Sequence, residues 1–238
     1  GAGVFGHFEG YYQHGKDTRQ LANGEFRKIS AYLLTGELGY RAPQKKWEIA
    51  GGAEIISGND YTNTDAGYLE TRHSFDLLYG ARFVHYGGYL NHFTMQESHR
   101  GGTKGGGYID PYLRFGFKPG KKSAVDLTWY SPFLSTPVPA HLSIDPETGK
   151  PVGTETDEQG NTVYWEGSLG SYLDIGYTRR INPDIVVKAG WSLGSVSDLK
   201  NQMVYGYEDA GRSELHEMGT NYFGWVMLIV KPRFFTTE

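Results

Sequence analysis

Apolar and polar side chains alternate with a period of two residues in eight segments of the chain, and this pattern restricts the fold more than any other feature. In the first segment, Val4, Phe8 and Tyr12 share one face while His7 and Glu9 share the other. A period of two is typical of β-strands with one apolar and one polar face. The last segment is apolar on both faces, which leaves its orientation open. The segments lie at about residues 4–13, 32–41, 47–55, 109–118, 125–130, 168–180, 187–193 and 222–235.

Short turns alternate with long polar stretches between these segments. The short turns contain Pro, Gly, Asn or Asp, which favour tight hairpins between antiparallel strands; they lie at 42–45, 119–122 and 182–184. The long stretches lie near 15–26, 58–106, 135–162 and 196–219. All short turns therefore lie at one end of the sheet and all long loops at the other, as in outer-membrane barrels. We predict an all-β fold, a transmembrane antiparallel up-and-down β-barrel.

The apolar face carries aromatic side chains near both ends of the predicted strands, where a lipid interface would lie. Those near the short turns are Tyr40, Trp47, Phe117 and Tyr177, and those toward the long loops are Tyr12, Trp129 and Trp191. The longest apolar run, 225–230, is too short for a membrane-spanning helix, and the sequence predicts no helix. The alternative is a soluble eight-stranded barrel whose apolar face turns inward to hold a ligand.

Charge and cysteine content exclude several classes of function. Lys and Arg number 23 against 27 Asp and Glu, which gives a net charge of −4. Nucleic-acid binding requires a basic excess, so a nucleic-acid partner is not expected. Cysteine is absent, which excludes disulfides, thiolate catalysis and Cys-type zinc sites.

Motifs that could signal an enzyme lack their structural context. Gly190-Trp191-Ser192-Leu193-Gly194 matches the nucleophile elbow, but it lies within a predicted strand and no helix follows. The histidines of the longest loop, His73, His85, His92 and His99, have no helical spacing for a metal. The glycines at 101–107 predict a mobile loop tip and not a phosphate-binding loop. We therefore predict no enzyme, no cofactor and no metal site.

Two segments, 29–40 and 49–60, resemble the alginate-export family of Gram-negative outer-membrane barrels, particularly its Bacteroidetes-type, porin-like members. Segments 78–80 and 85–93 are similar to a loop of that family. The resemblance implies an outer-membrane channel that passes or exports an anionic polysaccharide. Because such loops fold back toward the channel in the family, it also implies a constriction lined by Tyr79, His85 and Asn91.

The family's barrels have about 16–18 strands, whereas eight segments are visible here. We therefore interpret residues 1–238 as one outer-membrane barrel domain, the C-terminal part of a longer barrel. The alternative is a complete eight-stranded barrel. Such a barrel is filled by side chains and could not conduct a polymer.

The polar face, which is the predicted lumen, carries charges of both signs. Opposed charges across a narrow pore favour small polar solutes, whereas the family's polysaccharide channels have strongly cationic lumens. The alternative is that these charges form salt bridges between neighbouring strands. The candidate lumen residues are Glu37, Glu48, Glu54, Asp110, Tyr112, Arg114, Lys118, Asp126, Arg180 and Lys188.

The predicted function is that of a passive outer-membrane channel, or porin, for polar or anionic solutes or a polysaccharide. Its outer surface would contact membrane lipids and lipopolysaccharide. One alternative is a structural or scaffold barrel in an outer-membrane protein complex, whose long loops bind a partner protein. Another is a small barrel enzyme acting on lipids, which would require a catalytic set such as Ser, His and Asp at one membrane edge.

Overall fold

Eight long strands dominate the computed structural model, which describes residues 2–21, 23–75, 103, 105–141, 143–144, 151–205 and 220–231. They are β1 (Gly3–Gln20), β2 (Phe26–Arg41), β3 (Trp47–Ile56), β5 (Tyr108–Gly120), β6 (Ser123–Tyr130), β12 (Gly170–Arg180), β13 (Ile185–Val196) and β14 (Thr220–Val230). The loops contain α1 (Ala66–Leu69), β4 (Thr71–Arg72), β7 (Phe133–Leu134), β8 (Val138–Pro139), β9 (Ser143–Ile144), β10 (Pro151–Val152), β11 (Tyr164–Trp165) and α2 (Asp198–Tyr205).

The long strands pair in chain order, β1-β2-β3-β5-β6-β12-β13-β14, each antiparallel to the next. The short strands β4 and β7 pair with β2 and β5 in the same sheet. The predicted all-β, antiparallel up-and-down fold is therefore confirmed. Within the described residues, no pairing joins β1 to β14, so the sheet has two open edges and closure into a barrel is not seen.

The register gives this sheet one apolar and one polar face. On the apolar face Trp47 lies opposite Phe117, and Leu113 lies opposite Trp129. This face is uncovered by the described residues, and its side chains are exposed, with Val4 at 75%. The alternation seen in the sequence is thus the alternation of side chains across one continuous sheet.

The register also settles the orientation of the last strand. Tyr222 lies opposite Leu193 and Val226 opposite Ala189, so the even-numbered residues of β14 lie on the apolar face. Trp225 lies opposite Gly190 on the polar face. The strand covers Thr220–Val230, and residues 232–235 of the predicted segment lie outside the described part of the chain.

The three short turns lie where the sequence predicts them, but the first long stretch is a correction. β1 continues to Gln20 and β2 begins at Phe26, so the connection is much shorter than 15–26. The polar residues of this stretch pair across the hairpin, as Lys16 does with Lys28. Strand pairing uses backbone groups and needs no apolar side chain, which is why the polar composition was misleading.

The prediction of no helix is wrong, because the long loops contain α1 and α2. Both are short, and a side chain caps the start of each. The Asp65 carboxylate accepts a hydrogen bond from the Tyr68 amide at 3.0 Å, and the Ser197 hydroxyl accepts one from the Lys200 amide at 3.1 Å. Such caps satisfy amides that the first helical turn leaves free.

The long loops fold back over the polar face at their end of the sheet. We call residues 57–75, 105–107, 131–141, 163–169 and 197–203 the cap. Its side chains form one buried cluster with strand residues of the polar face. The strand members include Leu33, Ile56, Tyr108 and Tyr172, and the cap members include Phe75, Leu134, Val138, Trp165, Leu169 and Met203.

Two sequence interpretations fail inside the cap. Leu169, which the alternation places on the apolar face, is fully buried, because Gly170 has a φ of +124° and interrupts the strand geometry there. The glycines at 105–107 are buried and do not form a mobile tip. A Cβ on Gly106 would lie 2.9 Å from the Thr136 carbonyl oxygen, so these glycines allow a close backbone crossing.

A substitution at Gly190 tests how Trp225 of the edge strand β14 packs on the polar face. A Cβ at this position would lie within 2.5 Å of the Nε1 and Cζ2 atoms of Trp225. We expect Gly190→Ala to displace the indole and to lower the free energy of unfolding by about 1 kcal/mol, with a shift in tryptophan fluorescence. Gly36→Ala, whose Cβ would meet its nearest atom at 3.7 Å, is the control. Equal effects of the two changes would contradict the packing described here.

Candidate functional site: the polar face of the sheet

Arg114 on β5 is the centre of an ion-pair network on the polar face. Its Nη2 lies 2.7 Å from Glu37 Oε1 and its Nε donates to Glu37 Oε2 at 3.1 Å. Its Nη1 lies 2.7 Å from Glu48 Oε1. Glu48 also accepts a hydrogen bond from Arg41 Nε at 2.8 Å. The network therefore ties β2, β3 and β5 together.

Small residues make room for this network. Gly52 lies opposite both Glu37 and Tyr112, and a Cβ on Gly52 would lie 2.6 Å from the Tyr112 hydroxyl. That hydroxyl donates to Glu37 Oε2 at 3.3 Å. Because the glycine has no side chain, the tyrosine ring can cross the sheet to reach the carboxylate.

A row of tyrosines continues from the network across the sheet. The ring centroids of Tyr112 and Tyr130 are 5.8 Å apart, and those of Tyr130 and Tyr172 are 6.3 Å apart. These spacings are typical of interacting aromatic pairs. Tyr172 is buried beneath the cap, so the row joins the charged network to the cap cluster.

A second acidic group lies under the cap. Glu54 is opposite Asp110 in the register of β3 and β5, and the Tyr108 hydroxyl donates a hydrogen bond to Glu54 Oε1. Asp110 is only 1% exposed. The cap therefore covers these two carboxylates and leaves the Arg114 network nearer the open part of the polar face.

The structure brings together four of the ten candidate lumen residues in one network, Glu37, Glu48, Tyr112 and Arg114. Glu54 and Asp110 form the capped group. The other four are spread over the half of the sheet next to the short turns: Lys118, Asp126 and Arg180 are exposed and Lys188 is half-buried. The salt-bridge alternative thus describes the first group, whereas no ion pair within the described residues includes any of the last four.

Sequence reasoning missed Arg41, Tyr108 and Asn59. Arg41 was visible as the polar neighbour of Tyr40, but only the register shows that it meets Glu48. The Asn59 side chain accepts hydrogen bonds from the amides of His73 (2.7 Å) and Ser74 (3.2 Å). No local pattern in the sequence signals that contact.

The predicted constriction residues Tyr79, His85 and Asn91 lie outside the described residues, as do His92 and His99. Among the described residues, the cap segments fold over the polar face. Ser192 lies buried in the middle of β13, so the strand-to-helix turn of a nucleophile elbow is not formed there. In the described part of the chain no helix has both the length and the apolar character to span a bilayer.

His73 gives the cap a pH dependence. Its ring stacks on Tyr68 with centroids 4.0 Å apart, and burial lowers the pKa of the imidazole below its usual value. Between the lowered pKa and the ordinary value near 6.5, the unfolded state binds more protons than the folded state. The cap therefore loses stability as the pH falls through this window.

We expect acidification below about pH 6.5 to lower the protection factors of amides in residues 57–75, that is, to speed their exchange relative to the intrinsic chemical rate. His73→Phe keeps an aromatic ring against Tyr68 and removes the titration, so its exchange should not change over this pH window beyond the intrinsic chemical rate. His7→Phe, at an exposed site toward the short-turn end of β1 and opposite Glu37, should behave like the native protein. Identical pH profiles for the native and His73→Phe proteins would contradict this role of His73.

The fold and site define an all-β protein with an up-and-down antiparallel sheet, a bare apolar face and a charged, capped polar face. No protein-family model matches the sequence, and no curated protein matches it. Among solved structures the chain is similar to a porin, NanC, at 11% identity and a TM-score of 0.38, over 95% of this chain and 78% of that one.

Proposed function

We propose that the protein is a passive channel of the porin type in the outer membrane of a Gram-negative bacterium. The observation that carries this proposal is the arrangement of the two faces. Large apolar side chains cover one face and are exposed, while charges and folded loops occupy the other. This is the arrangement of a transmembrane β-barrel, whose outer surface is apolar and whose interior is polar.

The position of the cap supports a polar interior and an apolar exterior, and argues against the soluble-barrel alternative, in which the apolar face lies inside. A soluble ligand-binding barrel would turn its Leu, Phe and Trp side chains inward. Here the loops pack on the polar face instead. A water-soluble monomer rarely exposes a continuous apolar patch larger than a few hundred Å², whereas this one runs across all eight long strands, which argues for lipid contact.

The cap also supports a barrel wider than eight strands. An eight-stranded barrel has an interior just wide enough for its own side chains. In this protein the polar face packs against additional loop residues such as Trp165 and Met203. We infer that further strands lie between β14 and β1, and that the eight strands form one wall of the barrel.

The charges of the polar face influence which solutes would pass through the proposed channel. Arg41 and Arg114 are matched by Glu37 and Glu48 in the network, so their cationic charge is largely neutralised. A mixed surface of this kind favours small polar solutes. The finer assignment, an alginate-export channel for an anionic polysaccharide, rests on the resemblance of segments 29–40 and 49–60 alone.

Single-channel recording of the purified full-length protein in a planar bilayer tests the proposal. We expect a steady current, and Lys118→Glu should raise the preference for cations, because Lys118 is an exposed charge at the turn end of β5. Ser123→Glu, near the same turns on the apolar face, should leave the ion preference unchanged. A folded protein that gives no current would overturn the channel and favour a scaffold barrel whose loops bind a partner.

A further inference from the structure

The hairpin of β1 and β2 extends past the other long strands at the long-loop end and carries a cluster of basic side chains. Lys16 lies directly opposite Lys28. His14, two residues nearer the centre of the sheet, lies directly opposite Ser30. By alternation these residues continue the apolar face. Lys16, Lys28 and His14 are all exposed.

Two like charges directly opposite each other destabilise a pair of antiparallel strands, because the Cβ atoms of such residues are about 4.5–5.5 Å apart. Within the described ranges, no carboxylate forms an ion pair with either lysine. Asp17, the next residue in the chain, contacts Arg72 with its Oδ2 3.7 Å from Nη1. Arg72 belongs to the opposite face, since it pairs beside Ile29. Among the residues that the structure describes, the two ammonium groups therefore have no ion-pair partner on their own face.

The tyrosines below the cluster set its depth in a membrane. Tyr12 lies opposite Tyr32 on the apolar face, two residues before His14. The Tyr12 and Ser30 hydroxyls are 2.9 Å apart, and the rings of Tyr12 and His14 stack with centroids 6.1 Å apart. Exposed tyrosines lie at the headgroup level. The cluster is two to four residues farther along the strand, about 7–14 Å, where the polar groups of external lipids lie.

We propose that Lys16, Lys28 and His14 form a binding site for the phosphate groups of a phosphorylated glycolipid, lipopolysaccharide, in the external leaflet. This inference rests on the proposed membrane placement. The two ammonium groups supply charge and the imidazole supplies a hydrogen-bond donor, and phosphate oxygens accept such charge-assisted bonds strongly. A bound phosphate would also relieve the repulsion between the two lysines.

Binding of fluorescent lipopolysaccharide to the full-length protein in detergent micelles tests the site. We expect the native protein to bind the phosphorylated glycolipid about tenfold more tightly than the dephosphorylated one. Lys16→Gln with Lys28→Gln should remove this preference. The matched control, Lys46→Gln with Lys121→Gln, removes the same charge at exposed positions near the short turns and should keep it.

Lys16→Glu separates folding from binding. A glutamate opposite Lys28 forms a favourable cross-strand pair, so the hairpin should become more protected in hydrogen exchange while phosphate-dependent binding is lost. Retention of the preference in the double glutamine variant, or its equal loss in the control, would overturn the site. Displacement of the glycolipid by millimolar inorganic phosphate would show a free-anion site and overturn the lipid assignment.

The two proposals fail in different ways. A protein that stays folded and dissolved without detergent would overturn the membrane placement, and the lipid site with it. A protein that needs detergent and conducts ions, but binds both glycolipids equally, would overturn the lipid site alone.

Discussion

Leu113→Arg is expected to lower the free energy of unfolding of the protein in lipid vesicles by about 2–4 kcal/mol. Leu113 lies near the middle of β5 on the apolar face, between Gly51 and Trp129 of the neighbouring strands, and is 56% exposed. If this face contacts lipid, the guanidinium enters hydrocarbon, where a charge has no water to solvate it. Denaturant unfolding in vesicles measures the difference.

The same change in water would have a small effect, because surface substitutions usually stay within about 0.5 kcal/mol. Phe117→Arg provides the control in the membrane. Phe117 is on the same strand and face but next to a short turn, where the cost of arginine falls to about 0–1 kcal/mol. Equal, small effects at the two positions would show that the apolar face does not contact lipid.

Arg114→Met is expected to lower the free energy of unfolding by about 2–3 kcal/mol, which is less than the 3–5 kcal/mol for a fully buried pair. The expected loss is smaller than for a fully buried pair because the Arg114 side chain is 25% exposed. Removing the guanidinium leaves the carboxylates of Glu37 and Glu48 close together without their shared partner. Denaturant unfolding tests the loss.

A double-mutant cycle separates this network from the loss of one charge. Glu37→Gln combined with Arg114→Met should cost less than the sum of the single changes, since the second change then breaks no ion pair with Glu37. Lys118→Met, on the same strand, should change stability by no more than about 0.5 kcal/mol. Additive effects of Glu37→Gln and Arg114→Met would show that the Glu37–Arg114 pair contributes nothing to stability.

The strands were predictable because strand formation is local and repetitive. The faces of β2 and β3 follow directly from the alternation of Tyr32 to Arg41 and of Trp47 to Ile55. Pro and Gly at 119–122 place the β5–β6 turn, because these residues favour tight turns. The faces of β14 were not predictable, since apolar residues on both faces show no alternation. Only the pairing with β13 assigns the side chains of β14 to a face.

The site was predictable as a set of residues and not as a set of contacts. Alternation places Glu37, Glu48 and Arg114 on one face, but it does not say which carboxylate meets which base. That depends on the register of three strands and on the space above Gly52. The same holds for Lys16 and Lys28, which are twelve residues apart in sequence and become neighbours through the hairpin register.

The sequence by itself determined the eight long strands, their order along an up-and-down sheet and, except in β14 and at Leu169, which of their side chains share a face, because each of these depends on residues close together in the chain. Tertiary structure alone decided the Arg114 network and the cap over Tyr108 and Tyr172, since both depend on contacts between residues far apart in sequence. Folding the loops back buries Trp165 and Met203 against the polar face, and that burial follows from the hydrophobic effect acting on segments that show no period of their own.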